Sequence, residues 1–199
     1  MIERAARTSH DLMQLCPDAV LAVDLDGTLV HCDMLHHGVQ QILQRAPVSV
    51  LALAAALLRY GRPGLKRAVA LRAKFDPAEL PYNSAVVELA KGWRADGRRV
   101  VLATAADEGV ARTIAAHLGL FDAVHASSRA SNLKGRAKAA FLTETYGERG
   151  FVYAGDSAAD LHVWAKAVGA VFVSDCPKLR AQLGGLDIPL MRLDPSSAA

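Results

Sequence analysis

The sequence predicts an α/β fold: a parallel sheet with helices on both faces and a small helical insertion. Three observations predict it. Short apolar runs alternate with helical patterns from residue 84 onward. The first apolar run, Val20–Val23, is separated from the second, at 99–103, by a long stretch without strand alternation. Reactive residues recur where the apolar runs end, as they do at the carboxyl edge of a parallel sheet.

The totals agree. A chain of 199 residues suits one core, at 1–30 and 76–199, with an insertion at 31–75. At 52% hydrophobic and 22% charged residues it can fill a sizeable core and is not a disordered chain. The net charge of +3 is small, and the basic residues are not interleaved with aromatics, which argues against nucleic acid as a partner. Cys16, Cys32 and Cys176 are odd in number and widely spaced, which argues for a reducing compartment without zinc or disulfides. The charged stretch 1–18 has no apolar signal segment. The longest apolar run, 48–58, is far shorter than the roughly 20 residues that span a bilayer. The expectation is a soluble, cytoplasmic chain.

In order, residues 1–18 form a polar lead-in of a helical turn or two, stopped by Pro17. A strand at 20–25 runs into Asp24-Leu25-Asp26-Gly27-Thr28-Leu29. Val39, Ile42 and Leu43 recur at helical spacing and predict a helix over 33–45. Pro47 opens a second helix, 47–60, which is apolar nearly all round. Gly61-Arg62-Pro63-Gly64 breaks it, and a basic helix follows at 65–74. The rest alternates: helix 84–95, strand 99–103, helix 107–118, strand 122–126, helix 134–146, strand 151–154, helix 158–167, strand 170–173, helix 177–183 and a last strand near 188–192. The tail from Pro195 frays.

Alternation puts Asp24 and Asp26 on one side of an extended backbone. Two carboxylates at the end of a buried strand repel and resist desolvation, so function or a cation must offset them. Thr104 follows the second strand, Lys134 follows the third, and Asp156 and Asp160 follow the fourth. Oxygen ligands without His or Cys favour Mg²⁺. Asp24, Asp156 and the backbone carbonyl of Asp26 would hold it, with Asp160 acting through water or on Lys134. Asp24 then attacks a phosphomonoester, Asp26 serves as general acid and base, and Thr104, Ala105 and Lys134 bind the phosphoryl group. Each residue alone has a simpler reading. A threonine after a strand is commonly a helix cap, a lysine is commonly solvated, and GDxxxD can cap a helix. Lys134 sits in a helix's first turn, where the dipole disfavours it, and this points to function.

DLDGTL at 24–29, ATAAD around Thr104, NLKG around Lys134 and GDSAAD at 155–160 resemble the four motifs of the haloacid dehalogenase superfamily. The resemblance implies a Rossmann-like sheet of strand order 3-2-1-4-5, an aspartyl-phosphate intermediate on Asp24, and Mg²⁺ as cofactor. The second acid, Asp26, and Thr28 match its phosphatases. The insertion resembles a type C1 helical cap. LPYN at 80–83, GRRVVLATA at 97–105, NLKGRAKA at 132–139 and FVYAGDSAADLHVW at 151–164 also resemble the phosphatase-type domain preceding UbiA-type prenyltransferases in bacterial fusion proteins. That likeness implies a prenyl or lipid-linked sugar phosphate as one substrate class, with small phosphorylated metabolites as the other.

Two further roles stay open at this point: a phosphotransferase or mutase with the same intermediate, and a non-catalytic partner of a membrane prenyltransferase. The basic helix 65–74 leaves a membrane-peripheral position open, although such faces commonly just meet water. His31 to His37 lie at the expected mouth of the site, while Trp93 and Trp164 read as packing residues.

Overall fold

The computed structural model describes residues 8–195 apart from 47, 74 and 129–131, and only the backbone at 62 and 63. The expected lead-in at 1–7, Pro47 as a helix opener, Lys74 as a helix end, the middle of the loop after the third strand and the last four residues of the tail lie outside the described residues.

Six parallel strands form one sheet in the order β3-β2-β1-β4-β5-β6. They are β1 (Val20–Val23), β2 (Val100–Asp107), β3 (Ala123–Ser127), β4 (Phe151–Gly155), β5 (Gly169–Phe172) and β6 (Leu190–Arg192). The expected order holds, with the sixth strand added at the edge beside β5. Strands β1, β2 and β4 are buried on both faces, so they read as unbroken apolar runs instead of alternating ones. The two faces are covered by separate apolar clusters. One, around Trp93, joins α1 (Ser9–Leu15), α4 (Ser84–Ala95) and α5 (Glu108–Leu118). The other, around Trp164 and Phe172, joins α6 (Arg136–Tyr146), α7 (Leu161–Trp164) and α8 (Pro177–Gly184).

The lead-in is more than a polar turn. Thr8 and Asp11 close a capping box on α1, and Leu12, Met13 and Cys16 bury against the sheet. The expected 158–167 helix is a short 3-10 turn at 158–160 followed by the single turn of α7.

Between β1 and β2 lie α2 (Met34–Arg45) and α3 (Ser49–Ala70), which share a small core of Ile42, Leu53, Ala68 and Val69. A Cβ on Gly38 would stand 2.5 Å from Val69 Cγ1, so glycine is what lets the two helices approach. The expected four-residue breaker is a kink at one residue. Gly61 alone leaves helical geometry, at φ 65°, and the helix resumes at once. Pro63 does not stop it, because a proline in a first turn withholds no needed donor.

Candidate active site

β1 delivers the first two acids. Asp24 N–H bonds to Ala154 of β4, which fixes the end of β1 beside the end of β4. Gly27 then turns the chain at φ +74°. A Cβ there would fall 2.3 Å from Asp156 Oδ2, so the DxDG turn and the acid after β4 are neighbours only because residue 27 is glycine. Ligand oxygens of Asp24, Asp156 and Asp160 lie within 4.8 Å of one another.

The cation against them is Lys138. Its Nζ lies 2.9 Å from Asp24 Oδ2 and 3.9 Å from Asp160 Oδ1, and its side chain is 2% exposed. It also donates to Tyr153 Oη at 2.7 Å, and Tyr153 in turn donates to Asp160 Oδ1 at 2.8 Å. Ser157 satisfies the other Asp160 oxygen from both its N–H and its hydroxyl. Both oxygens of Asp160 are therefore engaged within the protein, and it holds Lys138 and Tyr153 in place. Asp156 and Asp24 are left to face the common space. Lys134, expected on the acids, lies on the loop before α6, is exposed and lines the cavity mouth. The structure thus corrects the pairing: Asp160 and Asp24 take Lys138, one helical turn beyond Lys134. The sequence holds only part of the signal, a lysine four residues before an apolar one. Lys138 and Leu142 fall four residues apart on one face of α6, and Leu142 is fully buried, so that face meets the core.

Thr104 is also placed differently from expectation. β2 continues to Asp107, with a register shift against β3 between Ala103 and Asp107. Thr104 therefore lies within the strand and is fully buried, and its hydroxyl accepts from Ala106 N–H at 3.0 Å. Ala105 and Ala106 form the cavity wall in front of it. Asp26 accepts from Met34 N–H at 2.8 Å, tying the acid to the first turn of α2. The site opens into a cavity of 370 Å³ lined by the strand ends below and by α2 and α3 above, with His31, Cys32 and His37 on its wall.

Burial governs the acid chemistry. It pushes Asp24 upward, and Asp160 adds to this, while Lys138 and the Leu25 N–H pull back. Burial raises Asp26 to about 6, opposed by the Met34 N–H. Asp156 rises to about 7 through burial and the charges of Asp160 and Asp24. The Tyr153 phenol is pushed far up, so it stays a neutral donor. Carboxyls crowded and desolvated in this way fit a hard divalent cation, which would neutralise them with oxygen ligands.

The family model for haloacid dehalogenase-like hydrolases matches residues 21–164. The chain belongs to that family. The chain is 40% identical over 178 residues to an uncharacterised protein of Sinorhizobium fredii (strain NBRC 101917 / NGR234), covering 89% of this chain and 34% of that one. The chain thus spans about a third of the length of that relative. Among solved structures, this haloacid dehalogenase-like chain shares its fold with a hydrolase of the same family from Salmonella enterica serovar Typhi, at a TM-score of 0.62 and 11% identity, covering 89% of this chain and 68% of that one. A substrate-bound phosphoserine phosphatase matches at a TM-score of 0.58 and 18% identity, over 87% of this chain and 92% of that one.

Proposed function

We propose that the chain is a Mg²⁺-dependent phosphomonoester hydrolase working through an aspartyl-phosphate on Asp24. The observation that carries this reading is the arrangement around Asp24. It is ion-paired to a buried lysine, sits beside Asp156, and has Asp26 two residues on, at the floor of a cavity. Asp24 and Asp156, with the backbone carbonyl of Asp26, would hold the ion. When bound it would neutralise charge on the acids and on the phosphoryl oxygens.

The protein's own steps follow. A carboxylate oxygen of Asp24 forms a bond to phosphorus as the bond to the leaving oxygen breaks. Asp26 gives its proton to that oxygen. Asp26 then takes a proton from water as the water oxygen attacks phosphorus, and the bond to Asp24 breaks to release inorganic phosphate. A carboxyl raised to about 6 populates both forms near neutrality, which suits both duties. Lys138 keeps Asp24 charged and oriented. Thr104 shapes the phosphate-facing wall at Ala105 through its bond to Ala106. Lys134 at the mouth meets the incoming dianion.

The upper wall favours a leaving group with an apolar body. Leu35, Val69, Ala70, Ala73 and Phe75 line it, with Lys66 the basic group among them. This supports an alkyl, aryl or prenyl phosphate as the substrate class, while Asp33 and Asp107 also line the cavity. The test is release of inorganic phosphate from a panel of such esters, with Mg²⁺ and with a chelator. Release without an added acceptor supports a hydrolase. Phosphate transfer only to an acceptor hydroxyl would replace that reading with a transferase.

A further inference from the structure

The helices above the site carry a second feature that phosphate chemistry does not use. From Met34 to Phe75 the chain has seven lysines and arginines and not one acid, leaving 16 basic and 20 acidic residues elsewhere. A chain of net charge +3 is therefore split into a segment of +7 and a remainder of −4. The same segment holds the exposed apolar surface. Among the described residues, eight of the nine exposed large hydrophobic side chains lie between Leu43 and Leu71, Leu15 being the other.

The arrangement on α3 is regular. Leu53 and Ala56 turn inward to the small core shared with α2. Leu51, Ala54, Ala55 and Leu58 fall at i, i+3, i+4 and i+7 and are all exposed, Leu51 by 76% and Leu58 by 88%. The outward stripe of this helix is as apolar as its inward one, whereas a solvated helix carries polar residues there. No charge interrupts Ser49–Leu58. The apolar stretch then ends in Arg59 and Tyr60, both exposed, with the guanidinium 5.6 Å from the ring centre.

We propose that this face of α3 docks on an anionic lipid surface, with the Leu51–Leu58 stripe in the acyl boundary and Arg59 among the headgroups. An apolar stripe ended by an arginine and an aromatic ring, in a basic segment, fits an interfacial helix. The acid-free segment complements an anionic leaflet. It also disfavours a second copy of this chain as the occupant, since two such segments, each basic and acid-free, would repel. The helix lies on the surface and does not cross it: no described helix is long and apolar enough to span a membrane. Lys66, Val69 and Ala70 of the same helix line the cavity, so the docked element is also a wall of the site.

The proposal does not depend on the phosphatase reading, and its test needs no turnover. The full chain is sedimented with vesicles of phosphatidylcholine alone and of phosphatidylcholine with phosphatidylserine, at low and high salt. Binding is expected only with phosphatidylserine, and high salt should release it. The exposed double variant Leu51→Gln/Leu58→Gln should bind at least about tenfold more weakly, while its circular dichroism stays that of the parent. Arg59→Glu should weaken binding by a smaller factor, and Asp24→Asn should leave it unchanged. Three results would each overturn the proposal: no sedimentation with anionic vesicles at low salt, equal binding by the Leu51→Gln/Leu58→Gln variant, or a wild-type dimer that this variant converts to a monomer.

Discussion

The carboxyl edge of the sheet and the helix pair above it solve opposite problems. At the edge, charge is buried and most of it is answered inside the protein. Asp24 meets Lys138, Asp160 meets Tyr153 and Ser157, and Asp26 meets the Met34 N–H. In α2 and α3, apolar side chains face outward and the charge is of one sign. The edge is nearly complete within itself, and on the proposed function lacks only a cation and a substrate. The helix pair is not, because its outer face has apolar surface that water does not favour. The two regions meet at few points, chiefly Asp26 with Met34, Lys66 with the Ala105 carbonyl, and Arg67 with Asp107.

Experiments can break this contrast at several strengths. The largest effect is expected from Asp24→Asn, which should cut phosphate release by at least about 10³-fold with the fold intact. Retained turnover would remove Asp24 as the nucleophile. Next comes the choice between the two lysines. Lys138→Met should lower turnover about 10²-fold and cost about 3–5 kcal/mol of stability, because it strands buried carboxylates. Lys134→Met should lower turnover about tenfold and change stability by under about 0.5 kcal/mol. The reverse ranking, by steady-state kinetics and urea unfolding, would return the main charge-neutralising role to Lys134.

A third test uses pH. Asp26 and Asp156 are raised from 3.8 to about 6 and about 7, so the folded chain binds protons that the unfolded chain has released. Without a divalent cation, stability should therefore fall as pH rises from about 4 to about 7, then level off. Mg²⁺ binds the ionised acids, so it should raise the melting temperature more at about pH 8 than at about pH 5. Asp156→Asn should flatten both trends in a thermal-shift series. The smallest effect belongs to the join between the regions. Arg67 is 40% exposed, so Arg67→Ala should cost at most about 1 kcal/mol, and it should appear as a changed KM more than a changed kcat. A lost kcat would mean that the helix pair does more than cover the cavity.

Much of the edge was legible because it is local. Asp24, Asp26 and Gly27 are adjacent in sequence, and a buried parallel strand announces itself as an apolar run ending in polar residues. Alternation of elements implied a parallel sheet, and the family resemblance implied its strand order. Lys138 was less legible. A lysine's reach is set by the face on which its helix packs, and only the packing of α6 on β4 showed that this one enters the core beside Tyr153. Thr104 was misjudged for a similar reason, since the register shift that lengthens β2 depends on β3.

By itself the sequence determined which acids share the site, because backbone alternation and one glycine act over a few residues. It also determined the charge split between the helix pair and the rest of the chain. Tertiary structure alone decided which cation answers Asp24, that Ala105 and Ala106 wall the cavity, and which stripe of α3 stays outside. Those outcomes depend on how elements distant in the chain pack. An apolar helix buries whichever stripe finds a partner, and α2 offers α3 enough surface to bury only one.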